Sequence, residues 1–112
     1  MARFSAPDEQ LDPLLVHAIR LFIVTLLVDG QWRDFATIRT DLGVAAAGLP
    51  SQLTKLREAD CVESRWDGSR TLVRLTPLGC ERLTEHLAVL HSIVATAGRI
   101  VASAASAVER RC

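Results

Sequence analysis

At 112 residues the chain has room for one domain. Hydrophobic residues make up 49% and the mean hydropathy is slightly positive, a composition that folds rather than staying disordered. Thirteen Lys and Arg balance thirteen Asp and Glu, which excludes a polybasic arm or histone-like wrapper and confines any nucleic-acid contact to a local patch. Three Phe, two Trp and no Tyr leave few aromatic platforms of the kind on which single strands stack. Cys61, Cys80 and Cys112 are widely spaced without a CxxC, so neither a disulfide framework nor a zinc finger is expected, and a reducing cytoplasm is the default.

Residues 1–10 read as a polar tail. Asp12-Pro13 then predicts a capping carboxylate and a first-position proline, opening a helix that runs to about Val28 and stops at Asp29-Gly30. Its apolar residues cover nearly the whole circumference, as in a helix buried on several sides. Residues 14–28 are the most apolar stretch, but they include His17 and Arg20 and fall short of the roughly 20 residues a bilayer needs. No signal peptide precedes them, so a soluble protein without membrane contact is expected.

Gln31-Trp32-Arg33 makes a short connector or minimal strand, with Trp32 filling the junction before the next helix. Asp34 caps a second helix over residues 35–42, whose inner face is Phe35, Ile38 and Leu42, and Gly43 ends it. Pro50 belongs in a helix's first turn, which places the start of the third helix near Gly48 or Leu49 and leaves residues 45–47 as turn. Leu49, Leu53, Leu56 and Ala59 lie on one face of that helix. Two short helices around a Gly-containing turn make a helix-turn-helix.

Residues 61–66 and 71–75 flank Asp67-Gly68, a strong hairpin signal. A two-residue turn would pair Trp66 with Ser69 and set Arg65 opposite Arg70. Val62, Ser64, Trp66, Val73 and Leu75 would then face inward, with Trp66 covering the base of the hairpin. Thr76-Pro77 repeats the cap-then-proline device and opens a long last helix. There Leu83, Leu87, Leu90, Val94, Ala97, Val101, Ala104 and Val108 recur at alternating steps of four and three, an unbroken heptad seam. From Val94 onward the seam runs about 27 Å past the last leucine, at 1.5 Å per residue, with nothing left in the chain to cover it. A second copy is the economical partner.

The reading is mainly α with a small β-hairpin wing: a tail at 1–10, a winged helix-turn-helix at 11–79 and a C-terminal dimerisation helix at 80–112. Leu42-Gly43-Val44, Leu53-Thr54-Lys55-Leu56-Arg57-Glu58-Ala59 and the exit Arg74-Leu75-Thr76-Pro77-Leu78-Gly79 resemble small MarR-like winged-helix transcriptional regulators. The opening Leu11-Asp12-Pro13-Leu14, His17 and Arg20-Leu21 looks like the first helix of that family. The resemblance implies a homodimer on pseudo-palindromic double-stranded DNA, with some members responding to small ligands. The chain departs from the family where Ala45-Ala46-Ala47-Gly48 replaces the polar residues that usually begin the third helix, and in its shorter wing.

On the third helix the candidate contacts are Ser51 to a phosphate, Gln52 to an adenine edge and Lys55 to a guanine or phosphate. On the wing they are Arg65 and Arg70, gripping backbone or a narrow minor groove, with Arg74 beside them. Residues 50–75 carry five basic against four acidic side chains, so affinity is expected to be modest and to fall steeply with salt. His86 and His91 are five apart, which does not set two metal ligands on one helix face. No nucleophile–base set or phosphate-cradling loop is present, so neither an enzyme nor a cofactor is expected. The rival reading is a degenerate winged helix that uses residues 45–50 against a protein partner. A small apolar effector between the first and last helices is compatible with either.

Overall fold

The computed structural model describes residues 10–111, apart from the side chains of Val44, Ala45 and residues 108–111. Asp12 does cap a turn, its carboxylate accepting the Leu14 N–H at 2.9 Å. The turn does not propagate. Arg20 Nε donates to the Leu14 carbonyl at 2.6 Å, occupying the acceptor that a continuous helix would offer to Ala18. Helix α1 (Ala18–Leu26) therefore starts afresh, with His17 as its cap and Nδ1 accepting the Ile19 N–H at 3.2 Å. The expected helix from Pro13 to Val28 is corrected to these shorter bounds.

Strand β1 (Arg33–Asp34) follows, and Asp34 caps α2 (Phe35–Leu42) by accepting the Ala36 N–H at 2.9 Å. Gly43, at φ +58°, ends α2, and a 3₁₀ turn (Gly43–Ala46) leads to α3 (Leu49–Glu58), which has Pro50 in its first turn. The C-terminus of α3 closes with Asp60 at φ +59°. The Asp60 N–H donates to Arg57 O and the Cys61 N–H to Leu56 O, both at 3.0 Å. This is the Schellman pattern with an aspartate in the left-handed position.

Strands β2 (Val62–Trp66) and β3 (Thr71–Leu75) complete an antiparallel sheet in the order β1-β3-β2. Val62 lies opposite Leu75, Arg65 opposite Leu72 and Trp66 opposite Thr71. The two-residue turn is thus corrected to residues 67–70. Asp67 is the reason: its carboxylate accepts the Ser69 and Arg70 N–H groups, each at 3.0 Å, folding an Asx-type turn longer than the dipeptide suggested. Arg65 and Arg70 do not face each other.

Leu15, Ile23, Val24, Leu27, Ile38, Leu49, Leu53, Leu56, Val62, Val73, Leu75 and Leu83 form the core. Helix α4 (Pro77–Arg111) is one 35-residue rod, about 52 Å long at 1.5 Å per residue, in a molecule of 66 × 30 × 22 Å. Its first turns belong to the domain. The Thr76 N–H donates to Cys61 O at 2.9 Å, Thr76 Oγ1 donates to Asp60 O at 2.6 Å, and the Gly79 N–H donates to Thr76 Oγ1 at 3.0 Å. A Cβ at Gly79 would overlap the Cys61 carbonyl oxygen, so the helix approaches β2 as closely as glycine permits. One turn further on, Arg82 grips Asp12 through two hydrogen bonds of 2.7 Å, and the Asp12 N–H donates to His86 Nδ1 at 3.0 Å.

Candidate nucleic-acid interface

Helix α3 buries Leu49, Leu53 and Leu56 and leaves Ser51, Thr54, Lys55 and Glu58 exposed on the opposite side. The sheet and α1 hold this helix at the surface like a ridge. Gln52 sits on its flank, half-buried, with Oε1 accepting from Arg20 Nη1 at 2.8 Å. One lone pair of its amide carbonyl is committed within the fold, which leaves the amide nitrogen as its main group for a base edge. Thr54 was missed in the sequence. At 100° per residue it lies closer to the outward direction than Gln52, a signal the spacing already contained.

The wing arginines are held by the fold in different ways. Arg70 pairs with Asp67 at 3.2 Å and with the α2 cap Asp34 at 3.4 Å. Backbone N–H donors from Ser69 and Arg70 pull the Asp67 carboxyl down to about 2. Arg74 pairs with Glu63, its cross-strand neighbour. Arg65 has no carboxylate partner among the described residues. Its guanidinium carbon lies 4.3 Å from the centre of the Trp32 ring, and that of Arg74 lies 4.5 Å from it.

Trp32 is therefore not a filler of the junction before α2. It is half-buried on the outer face of the sheet, beneath two arginines. Leu72, opposite Arg65 on that same face, is only 8% exposed. Trp66, expected to cover the base of the hairpin, is instead 66% exposed at the end of β2 beside the turn. Cys61 is buried, which pushes its thiol pKa up, and Cys80 is exposed.

Along α4, Leu83 enters the core, Leu90 is half-buried, and Leu87, Val94, Ala97, Val101 and Ala104 are exposed; Val108 lies outside the described side chains. Val94 and Val101 expose 62% and 66% of their surface. By length and composition the part of α4 over Pro77–Ala107 is apolar enough to cross a membrane. The apolarity is one-sided, however. Ser92, Arg99, Ser103 and Ser106 fall on the helix side away from Leu90, Val94, Ala97, Val101 and Ala104, with His91 on the flank, the pattern of an amphipathic helix. A cleft of about 630 Å³ lies between residues 10–13 and α4, lined by Leu11, Pro13, Arg82, His86 and Val89 among others.

This arrangement has solved counterparts. A transcriptional regulator homologue from Pyrococcus horikoshii OT3 is 24% identical and superposes with a TM-score of 0.68, covering 74% of this chain and 86% of its own. The M. tuberculosis protein Rv0081 is 28% identical with a TM-score of 0.56, over 82% of this chain and 86% of its own. Lactococcus lactis ZitR, solved in complex with DNA, is 18% identical with a TM-score of 0.54, over 99% of this chain and 82% of its own. No curated protein sequence matches the chain. Residues 19–94 match the family described as "Winged helix DNA-binding domain", which takes in every element from α1 to the first half of α4. The chain belongs to the winged-helix DNA-binding domain family.

Proposed function

We propose that the protein is a cytoplasmic, homodimeric, MarR-like regulator of transcription that binds double-stranded DNA. The observation carrying this reading is the exposed ridge of Ser51, Thr54 and Lys55 on α3, backed by three fully engaged leucines on a winged-helix scaffold. Two such ridges, paired through the open apolar face of α4, would enter successive major grooves about 34 Å apart. Ser51 and Lys55 reach phosphates and bases, the Gln52 amide nitrogen assists, and Arg65 meets the backbone beside them. Arg70 and Arg74 can join only by loosening the carboxylates that hold them. ZitR, which shares the fold, has been solved on DNA, and that supports the same placement here. The cleft beside Leu11, Pro13 and Val89 is where a small apolar effector would lodge.

The test is fluorescence anisotropy on fragments of the protein's own promoter region at two salt concentrations. Binding that weakens with salt, and weakens further in Lys55→Ala, supports the reading; binding unaffected by Lys55→Ala refutes the contacts. A second reading, a winged helix that meets a protein, draws on the internal pairing of Arg70 with Asp67 and Asp34 and of Arg74 with Glu63. Absence of duplex binding at low salt would favour it.

A further inference from the structure

We infer that Trp32 is a positioning residue for the wing, holding Arg65 ready for a DNA phosphate; the inference rests on the DNA-binding reading above. Trp32 precedes β1, at one edge of the sheet, whereas Arg65 is on β2, at the other. The arginine reaches across β3 to place its guanidinium carbon 4.3 Å from the ring centre. A cation over an aromatic face is attracted by the ring quadrupole, and the contact requires no hydrogen bond from the plane of the guanidinium. The five N–H donors lie in that plane and stay available for bidentate bonds to a phosphate.

The other two wing arginines are neutralised by carboxylates: Arg70 by Asp67 and Asp34, and Arg74 by Glu63. Arg65 is the wing cation whose restraint leaves its charge unpaired among the described residues. Trp32 therefore restricts the side chain without cancelling its charge. Arg74, 4.5 Å from the same ring centre, gives the ring a second anchor. The entropy of ordering a long side chain is met in the free protein rather than on binding.

The experiment measures duplex affinity against salt for wild type, Arg65→Ala, Trp32→Leu, Trp32→Phe and the Trp32→Leu/Arg65→Ala double variant, with circular dichroism confirming that each is folded. Arg65→Ala is expected to weaken binding about fivefold and to lower the salt slope by about one. Trp32→Leu should weaken binding about threefold, Trp32→Phe should stay within about twofold of wild type, and the double variant should bind no worse than Arg65→Ala. Trp32→Leu binding as well as wild type, or more tightly, while Arg65→Ala weakens it, overturns the role of Trp32 and leaves the DNA-binding reading standing. Failure of the wild type to bind any duplex overturns both. Should Trp32→Leu not fold, Trp66→Phe isolates the emission of Trp32. A change in that emission on saturating duplex, abolished by Arg65→Ala, sustains the inference, and an unchanged emission overturns it.

Discussion

Arg20 on α1 donates through Nη1 to Gln52 Oε1 on α3 at 2.8 Å, while its Nε holds the Leu14 carbonyl at 2.6 Å. One guanidinium thus links the broken start of the first helix to the flank of the third. The outward residues of α3 differ accordingly. Lys55→Ala should weaken DNA binding on every sequence and lower the salt slope by about one, as loss of a phosphate contact does. Gln52→Ala should instead cost about 0.5–1.5 kcal/mol of stability, read by urea unfolding, because it strands a part-buried guanidinium nitrogen.

Asp12 and Arg82 make the longest-range ion pair in the described chain, 70 residues apart and well shielded, with 14% and 30% of their side chains exposed. The Arg82 hydrogen bonds are the main cause that holds the Asp12 carboxyl below its ordinary pKa. A carboxyl whose folded pKa is depressed stabilises the fold above its unfolded pKa of about 3.9 and loses that contribution as pH falls through the folded value. Unfolding monitored from pH 7 to pH 2 should therefore show stability falling below about pH 4, and Asp12→Asn should flatten part of that fall. Arg82→Met leaves the carboxylate unpaired and should cost about 1–3 kcal/mol at pH 7.

Gly79 explains why the exit from the wing reads Thr-Pro-x-Gly. Thr76 binds the turn after α3 from above, and Gly79 lets the helix rest on the Cys61 carbonyl. Gly79→Ala places a methyl group against the Cys61 backbone as well as the Leu75 side chain, and the backbone cannot turn aside as a side chain can. It should cost about 2–3 kcal/mol, seen as a lower midpoint in thermal or urea unfolding, despite alanine's better helix propensity.

What the sequence made legible was what neighbours decide. Asp34 two residues before the amide it caps, Gly43 past the end of α2, Pro50 in the first turn of α3 and the Thr76-Pro77 start of α4 are local choices, and all are found where the spacing places them. The failures share a different cause. Arg20 and Arg82 reached into the first turn from six and 70 residues away, and Arg20 took Gln52 from 32 residues away. Trp32 acquired its arginines only once β3 lay between β1 and β2. The hairpin register failed for a subtler reason. Asp67-Gly68 marks a turn, but a carboxylate that satisfies two backbone donors favours a longer one, and every cross-strand partner shifted with it.

Val94 and Val101 lie one heptad apart on α4, more than 60% exposed in the single chain, in a seam whose small members Ala97 and Ala104 permit close approach of another helix. Because neither valine touches the core, Val94→Asp with Val101→Asp should leave the folded domain intact by circular dichroism. In a seam shared by two copies, the substitutions would face their own counterparts across the two-fold axis, burying like charges together. Sedimentation equilibrium should show the wild type as a dimer and the double variant as a monomer, with duplex affinity falling at least tenfold as the two α3 ridges separate. A wild type that sediments as a monomer removes the second copy from the account. A double variant that stays dimeric moves the interface to the exposed side of α1, where Phe22 is 59% accessible.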